Sequence, residues 1–226
     1  MKGHILKAET MTDALPIVQL QIYVNPILYC LAPPALVFVL VQRQQLTKDE
    51  LIHKYRRLRK LLRFEFFHIE RDEDMTFNKA FEFCVSNAVI SVSGESVAAG
   101  SDVRLQFLLQ WAVWPALTSL QIIGDVMIER VNCEQKEATC CAQMEAERLL
   151  RHPYCLSLEA GANCLRGYHS VGALARNTRL QTTNYVLVPE VMSEYHALVN
   201  SVLPGFNVDF SSNNPVVLDR RNKSRL

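Results

Sequence analysis

Glycine is scarce in this chain, with eight among 226 residues. That scarcity argues against a turn-rich β-sandwich and against a Gly-rich phosphate cradle, both of which need residues free to take positive φ. Charge of either sign is not in excess, with 24 Lys and Arg against 23 Asp and Glu, so the basic footprint of a nucleic-acid-binding protein is missing. No C-x-x-C pair occurs. The seven Cys are odd in number and two of them, Cys140 and Cys141, are adjacent, which suits a reducing compartment better than a disulfide framework. Adjacent helical residues face different directions, so Cys140 and Cys141 would not both reach an ion shared with His152 and Cys155. Buried thiols are the expectation, with no metal and no cofactor.

Catalytic patterns are equally thin. There is no G-x-S-x-G, and Ser93 in Val92-Ser93-Gly94 lacks a strand–elbow–helix setting. His4, His53, His68, His152, His169 and His196 are scattered without a carboxylate at a telling spacing. His68 comes nearest, with Asp72 and Asp74, and reads as a solvated histidine in a charged loop. No catalytic residue is assigned. Met1 to Asp13 has no apolar core of a secretory signal. Pro26 to Val41 is sixteen residues without a charge, broken by Pro33-Pro34. Phe107 to Gly124 is eighteen uncharged residues that include Gln110, Pro115, Thr118, Ser119 and Gln121. A membrane span wants about twenty predominantly apolar residues, so buried or interfacial helices are favoured over spans.

What is present is mostly helical periodicity. Leu15 to Gln21 leads into the first apolar run, which is expected to kink or restart at Pro33-Pro34. Thr47 and Glu50 stand as a capping box, with Leu46 and Leu51 in staple positions. Leu51, Tyr55, Leu58 and Leu62 then share one helical face. Phe77, Phe81, Cys84 and Ala88 mark another helix after an acidic start at Glu70 to Asp74, and Gly94 to Gly100 reads as a connection. Asp102 to Arg130 suits a long helix kinked near Pro115, and Lys136 to Leu150 a further one. Ser157 can cap a helix that Gly172 ends. Ala175 to Val188 reads as a hairpin turning at Thr182-Thr183-Asn184, and Pro189 opens a last helix through Met192, Tyr195 and Val199. The expected fold is mainly α. It is a helical bundle over residues 1–150, a small winged-helix-like hairpin module over 151–206 and a mobile tail over 207–226.

Two features carry functional content. From Arg43 to Arg63 eight basic residues face only Asp49 and Glu50. Lys54, Arg56, Arg57, Arg59, Lys60 and Arg63 lie on the polar side of the amphipathic helix. Such a helix can lie on an anionic membrane surface, or the same charges can be the solvated face of a core helix. At the C-terminus Ser224, Arg225 and Leu226 form a variant of the S-K-L peroxisomal address.

The order of segments resembles the C-terminal region of the glycerol-3-phosphate and dihydroxyacetone phosphate acyltransferases. Leu20-Gln21-Ile22-Tyr23-Val24-Asn25-Pro26-Ile27-Leu28 is similar to that family's L-x-L-Y-x-N-x-L-L stretch. Pro33-Pro34-Ala35-Leu36-Val37 continues it, and Leu58 to Phe66 resembles its L-R-x-L-F-x-x-E-F segment. Leu108 to Pro115 resembles its later proline-bearing helix, and Ser157 to Gly172 its last helix and wing. The ending Ser224-Arg225-Leu226 tilts the choice towards the dihydroxyacetone phosphate branch, which is peroxisomal and begins ether-lipid synthesis. One departure is decisive for chemistry. The family's H-x-x-x-x-D, whose His is the general base on the substrate hydroxyl, is missing: His4 is followed five residues on by Glu9, and His68 by Glu73. The resemblance therefore implies the region downstream of a catalytic domain, with acyl-CoA belonging to the parent family only.

The reading is a non-catalytic, C-terminal part of such an acyltransferase, as a fragment or a truncated form. It would pack on a catalytic acyltransferase domain and help seat it on a membrane. The expected location is the peroxisomal membrane, with mitochondrial or endoplasmic reticulum membrane as the alternative. The rival is a helical protein-interaction module without lipid chemistry. Nucleic acid is not an expected partner of either.

Overall fold

The computed structural model describes residues 5–66, 72–149, 151–179, 182–203, 206–209 and 216–219. Its first helix, α1, spans Ala8–Val41. The helix does not restart at Pro33-Pro34 but runs through both prolines. A proline inside a helix costs about 3 kcal/mol, while each large apolar side chain fully buried returns about 1.5–3 kcal/mol. Ala35 to Val41 are each at most 4% exposed, so burial of that run outweighs the two prolines and holds the helix together.

Strand β1, Leu46–Thr47, leads into α2, Lys48–Leu61. The capping box forms as expected: the Thr47 N–H donates to Glu50 Oε2 at 2.8 Å, and the Glu50 N–H donates to Thr47 Oγ1 at 3.3 Å. Leu46 and Leu51 are both buried beside it, and Tyr55, Leu58 and Leu62 complete a fully buried face. Helix α3, Glu73–Ser86, is capped by Asp72, whose Oδ1 accepts from the Asp74 and Met75 N–H groups. Phe77 lies between the rings of Tyr55 and Phe81, at 5.2 and 5.7 Å. The helix stops two residues short of the expected Ala88, which is exposed and takes φ 53°.

The connection expected from Gly94 to Gly100 is instead half of a second hairpin. Strands β2, Ile90–Ser93, and β3, Ser96–Ala99, pair antiparallel, and β1 adds to the free edge of β3. Gly94, at φ 61°, opens the two-residue turn at the position a II′ turn reserves for glycine. Strands of only four residues give too short an alternation to stand out in the sequence.

The long helix α4 spans Val103–Arg130 and runs through Pro115. Its cap is Asp102, whose carboxylate accepts the Leu105 N–H at 3.0 Å. After the reversal at Val131 come β4, Asn132–Glu134, and α5, Gln135–Arg148. A 3-10 turn, Pro153–Leu156, precedes α6, Leu158–Ser170. Ser157 caps α6 and Gly172 follows its end, both as expected. Strands β5, Leu174–Arg179, and β6, Thr182–Leu187, lead to α7, Pro189–Val202. The hairpin is present but its turn is displaced. Arg179 pairs with Thr182, and Thr182-Thr183-Asn184 belong to β6. β-Branched threonines suit a strand better than a tight turn.

Helix, hairpin and helix follow in the expected order, with β6 lying between β5 and β4. The third strand thus comes from before residue 150, and one hydrophobic cluster runs from α1 to α7 across that position. Among the described residues the fold is mainly α, with only small sheets. In the expected tail, β7, Phe206–Asp209, and β8, Val216–Asp219, pair antiparallel. Ser224, Arg225 and Leu226 lie outside the described residues.

Helices α2 and α6 meet at Gly167. A Cβ there would stand 2.2 Å from the Leu61 carbonyl oxygen, well inside any tolerable contact. Gly167→Ala should therefore destabilise the protein by about 1–3 kcal/mol, the usual cost of overpacking, despite alanine's helix preference of about 1 kcal/mol. Urea denaturation would read it. An unchanged midpoint would mean that the two helices part at no cost.

Candidate functional site

A cleft of about 780 Å³ opens between the first half of α1, the middle of α4, the turn that ends α2 and the 3-10 turn. Its long walls are apolar: Leu15 and Leu20 from α1 face Trp111, Ala112 and Pro115 from α4. The backbone N–H of Lys7 donates to Glu147 Oε1 at 2.8 Å and fastens the start of α1 to α5. Volume and lining both fall within the range of small-molecule sites.

Polar groups converge at one end. The turn after α2 is closed by the Glu65 and Phe66 N–H groups donating to the Leu62 carbonyl, and it points Glu65 into the cleft. The Tyr154 hydroxyl, 89 residues away in sequence, donates to the Glu65 carboxylate. Burial is the main reason that the Glu65 carboxyl is pushed up to about 7; Asn163 and Arg166 pull it down and Glu159 adds to the rise. His152 caps the 3-10 turn, its Nδ1 accepting the Tyr154 N–H at 3.2 Å. Burial holds its imidazole down at about 4, so it is neutral at physiological pH. A carboxyl near half protonation, a phenol and a neutral imidazole at the end of an apolar slot can orient a bound polar head. No nucleophile with an adjacent base is assembled there.

The basic helix turns out to be largely engaged within the protein. Arg56 pairs with Asp74, Arg57 meets Glu194 at 3.0 Å and lies over the Tyr195 ring at 4.6 Å, and Arg59 approaches Glu73 at 3.4 Å. Arg59 is 4% exposed. Its candidacy as a membrane-surface residue is therefore corrected: a buried guanidinium cannot contact a headgroup. Three cations read as one solvated face instead tie α2 to α3 and α7. Of the others, Lys60 and Arg63 are exposed and Lys54 is half-buried.

Other sequence candidates are dispersed. His68 lies outside the described residues, Asp72 caps α3 and Asp74 holds Arg56. His196, expected to lack a carboxylate, has Asp125 Oδ1 3.0 Å from Nε2, while Asn200 approaches its Nδ1. The Asp125 contact joins α4 to α7, and a spacing of 71 residues hid it. Cys84, Cys133, Cys155 and Cys164 are buried as expected, whereas Cys140 and Cys141 are half-buried and Cys30 is exposed. Among the described residues no three His, Cys, Asp or Glu gather as metal ligands. Glu65 and Tyr154 were missed as site residues. The available signal was a carboxylate set among aromatics in Phe64-Glu65-Phe66-Phe67, a setting that favours burial.

The cleft therefore joins apolar walls from α1 and α4 to a cluster of polar groups at one end. The family model described as the glycerol-3-phosphate acyltransferase C-terminal region matches residues 4–162. The chain belongs to that acyltransferase family of phospholipid biosynthesis, by its C-terminal region. No curated protein and no solved structure matches it.

The two shifted groups give opposite pH dependences. Glu65 binds its proton more tightly when folded, so its stabilisation is complete below its ordinary 4.5 and lost as pH rises through about 7. The stabilisation from neutral His152 is complete above its ordinary 6.5 and lost as pH falls through about 4. In thermal melts, Glu65→Gln should leave a melting temperature that climbs with pH from about 4 to 6.5. His152→Asn, which keeps a capping acceptor, should leave one that falls between about 4.5 and 7. Parallel profiles for the two variants would contradict these burials.

Proposed function

We propose that this chain is the C-terminal, non-catalytic part of an acyltransferase that uses dihydroxyacetone phosphate as acceptor and serves ether-lipid synthesis at the peroxisomal membrane. The observation that carries the reading is the family match over residues 4–162 in a chain without H-x-x-x-x-D. The ending Ser224-Arg225-Leu226 supports the peroxisomal branch. Its physical role is to pack on the catalytic domain, which takes the acyl-CoA, and to hold that domain at the lipid surface. Support for a missing cover comes from Leu20 and Ile27 on α1 and Phe107 and Leu108 on α4, all more than half exposed. Apolar surface of that kind gains about 25 cal/mol per Å² when removed from water. Of the six basic candidates, Arg56, Arg57 and Arg59 are engaged internally and Lys54 is half-buried, so the exposed Lys60 and Arg63 are the pair assigned to anionic lipid.

Four outcomes are expected. The purified 226-residue chain should release no CoA from acyl-CoA beyond a mock preparation. Native protein captured with an antibody against residues 207–226 should acylate dihydroxyacetone phosphate in preference to glycerol 3-phosphate; the reverse preference would refute the acceptor assignment. In cells, deleting Leu226 should disperse the protein from peroxisomes, and in flotation Lys60→Glu with Arg63→Glu should cut recruitment to anionic liposomes several-fold.

A further inference from the structure

We propose that the polar end of the cleft binds a quaternary ammonium group of the choline type, held by aromatic rings and by the Glu65 carboxylate. Nothing in this site depends on the acceptor or the location argued above.

The lining combines rings with acids. Phe64, Phe66, Trp111 and Tyr154 border the cleft, and its charged lining is Glu65 and Glu159, with no Lys or Arg among the described residues. Three links gather these parts. Phe64 and Glu65 share the turn that follows α2, the Tyr154 hydroxyl donates to Glu65, and the Cys155 thiol reaches the Pro115 carbonyl at 3.5 Å. Trp111 stands one turn before Pro115 on α4, on the same face of that helix. An aromatic ring attracts a cation placed over its face within about 6 Å of its centre. Phe64 already does so within the protein: the guanidinium groups of Arg63 and Arg166 each lie 5.3 Å from its centroid.

Free hydrogen-bonding capacity selects among cations. Glu65 Oε1 is closed off from water, and no donor among the described residues reaches it in hydrogen-bonding geometry, although the Asn163 amide is close enough to lower the proton affinity of the carboxyl. His152 Nδ1 is taken by the Tyr154 N–H. A primary ammonium brings three N–H donors, and those left unmatched would lose their hydration without return. A quaternary ammonium brings none. Its methyl groups pack on the rings while its charge offsets that of Glu65. Arg63 and Arg166 oppose the bound cation, but both are exposed, so water and salt screen them. Glu65 acts from a drier place, where charge counts for more.

Occupancy is tied to a proton. Burial raises the Glu65 carboxyl to about 7, and a cation favours its ionised form. Binding therefore expels a proton and tightens as pH rises through about 7. Facing Glu65 are Glu159 and Arg166 from α6 and Arg63 from the end of α2, with His152, Cys155 and Cys164 behind it. Burial keeps His152 neutral at this pH, holding it down at about 4, and keeps both thiols protonated.

Titration calorimetry on the purified 226-residue chain tests the site with choline and with its uncharged tert-butyl analogue. Choline should bind about tenfold more tightly than the analogue, and should release a proton near neutral pH. Glu65→Gln should erase both the preference and the proton release, leaving weak binding of either compound. Should that variant not fold, Arg63→Ala with Arg166→Ala, at two exposed positions, should tighten choline about threefold by removing opposing charge. Phosphatidylcholine vesicles separate two sources of the group. Flotation that free choline competes away would assign the head of a lipid, and choline binding without flotation a small free compound. No saturable choline binding, equal affinity for choline and the analogue, binding without proton release, or weaker binding after the arginine substitutions would each overturn the assignment.

Discussion

Burial of α4 sets the positions of most other elements. Trp114, Leu117, Ser119, Ile122, Ile123, Val126 and Met127 are all buried, and at 3.6 residues per turn they point around much of the helix. A helix apolar on so many sides cannot rest on one neighbour. It is wrapped by α1, α5, α6 and α7, all of which contribute to a single hydrophobic cluster. Prolines in α1 and α4 are tolerated inside this packing because the helices around them limit the ways the chain can bend. The same wrapping leaves the first half of α1 spanning a gap beside Trp111 and Pro115, and that gap is the cleft.

Charge does a different job here from the one its distribution suggests. The cations of α2 form a layer that joins it to α3 and α7, with Arg59 sealed beneath Glu73 and Arg57 laid over Tyr195. Exposed ion pairs contribute little individually. Their value is positional: they orient α2 so that the turn after it delivers Phe64 and Glu65 to the mouth of the cleft.

Local signals were legible wherever one short stretch held the whole interaction. The Thr47–Glu50 box, the Ser157 cap and the face from Leu51 to Leu62 all belong to this kind. The hairpin at β2 and β3 was not legible, since four positions per strand are too few for an alternation to stand out. The turn between β5 and β6 slipped because the pattern placed three polar residues at the centre, while pairing along the sheet drew them into β6. The site was harder still. Glu65 and Tyr154 lie 89 residues apart, and neither stretch by itself records that the other faces it.

By itself, the sequence determined the helical class, the caps, the buried faces and, through its ordered segments, the family. Those depend on spacings of three to seven residues, which the backbone geometry of a helix converts directly into faces. Only the tertiary structure decided which cations after Thr47 are engaged within the protein, which histidine has a carboxylate and where the cleft opens. Each of these depends on distances between elements, and such distances come from how the apolar faces pack around α4, a property that no local stretch of sequence contains.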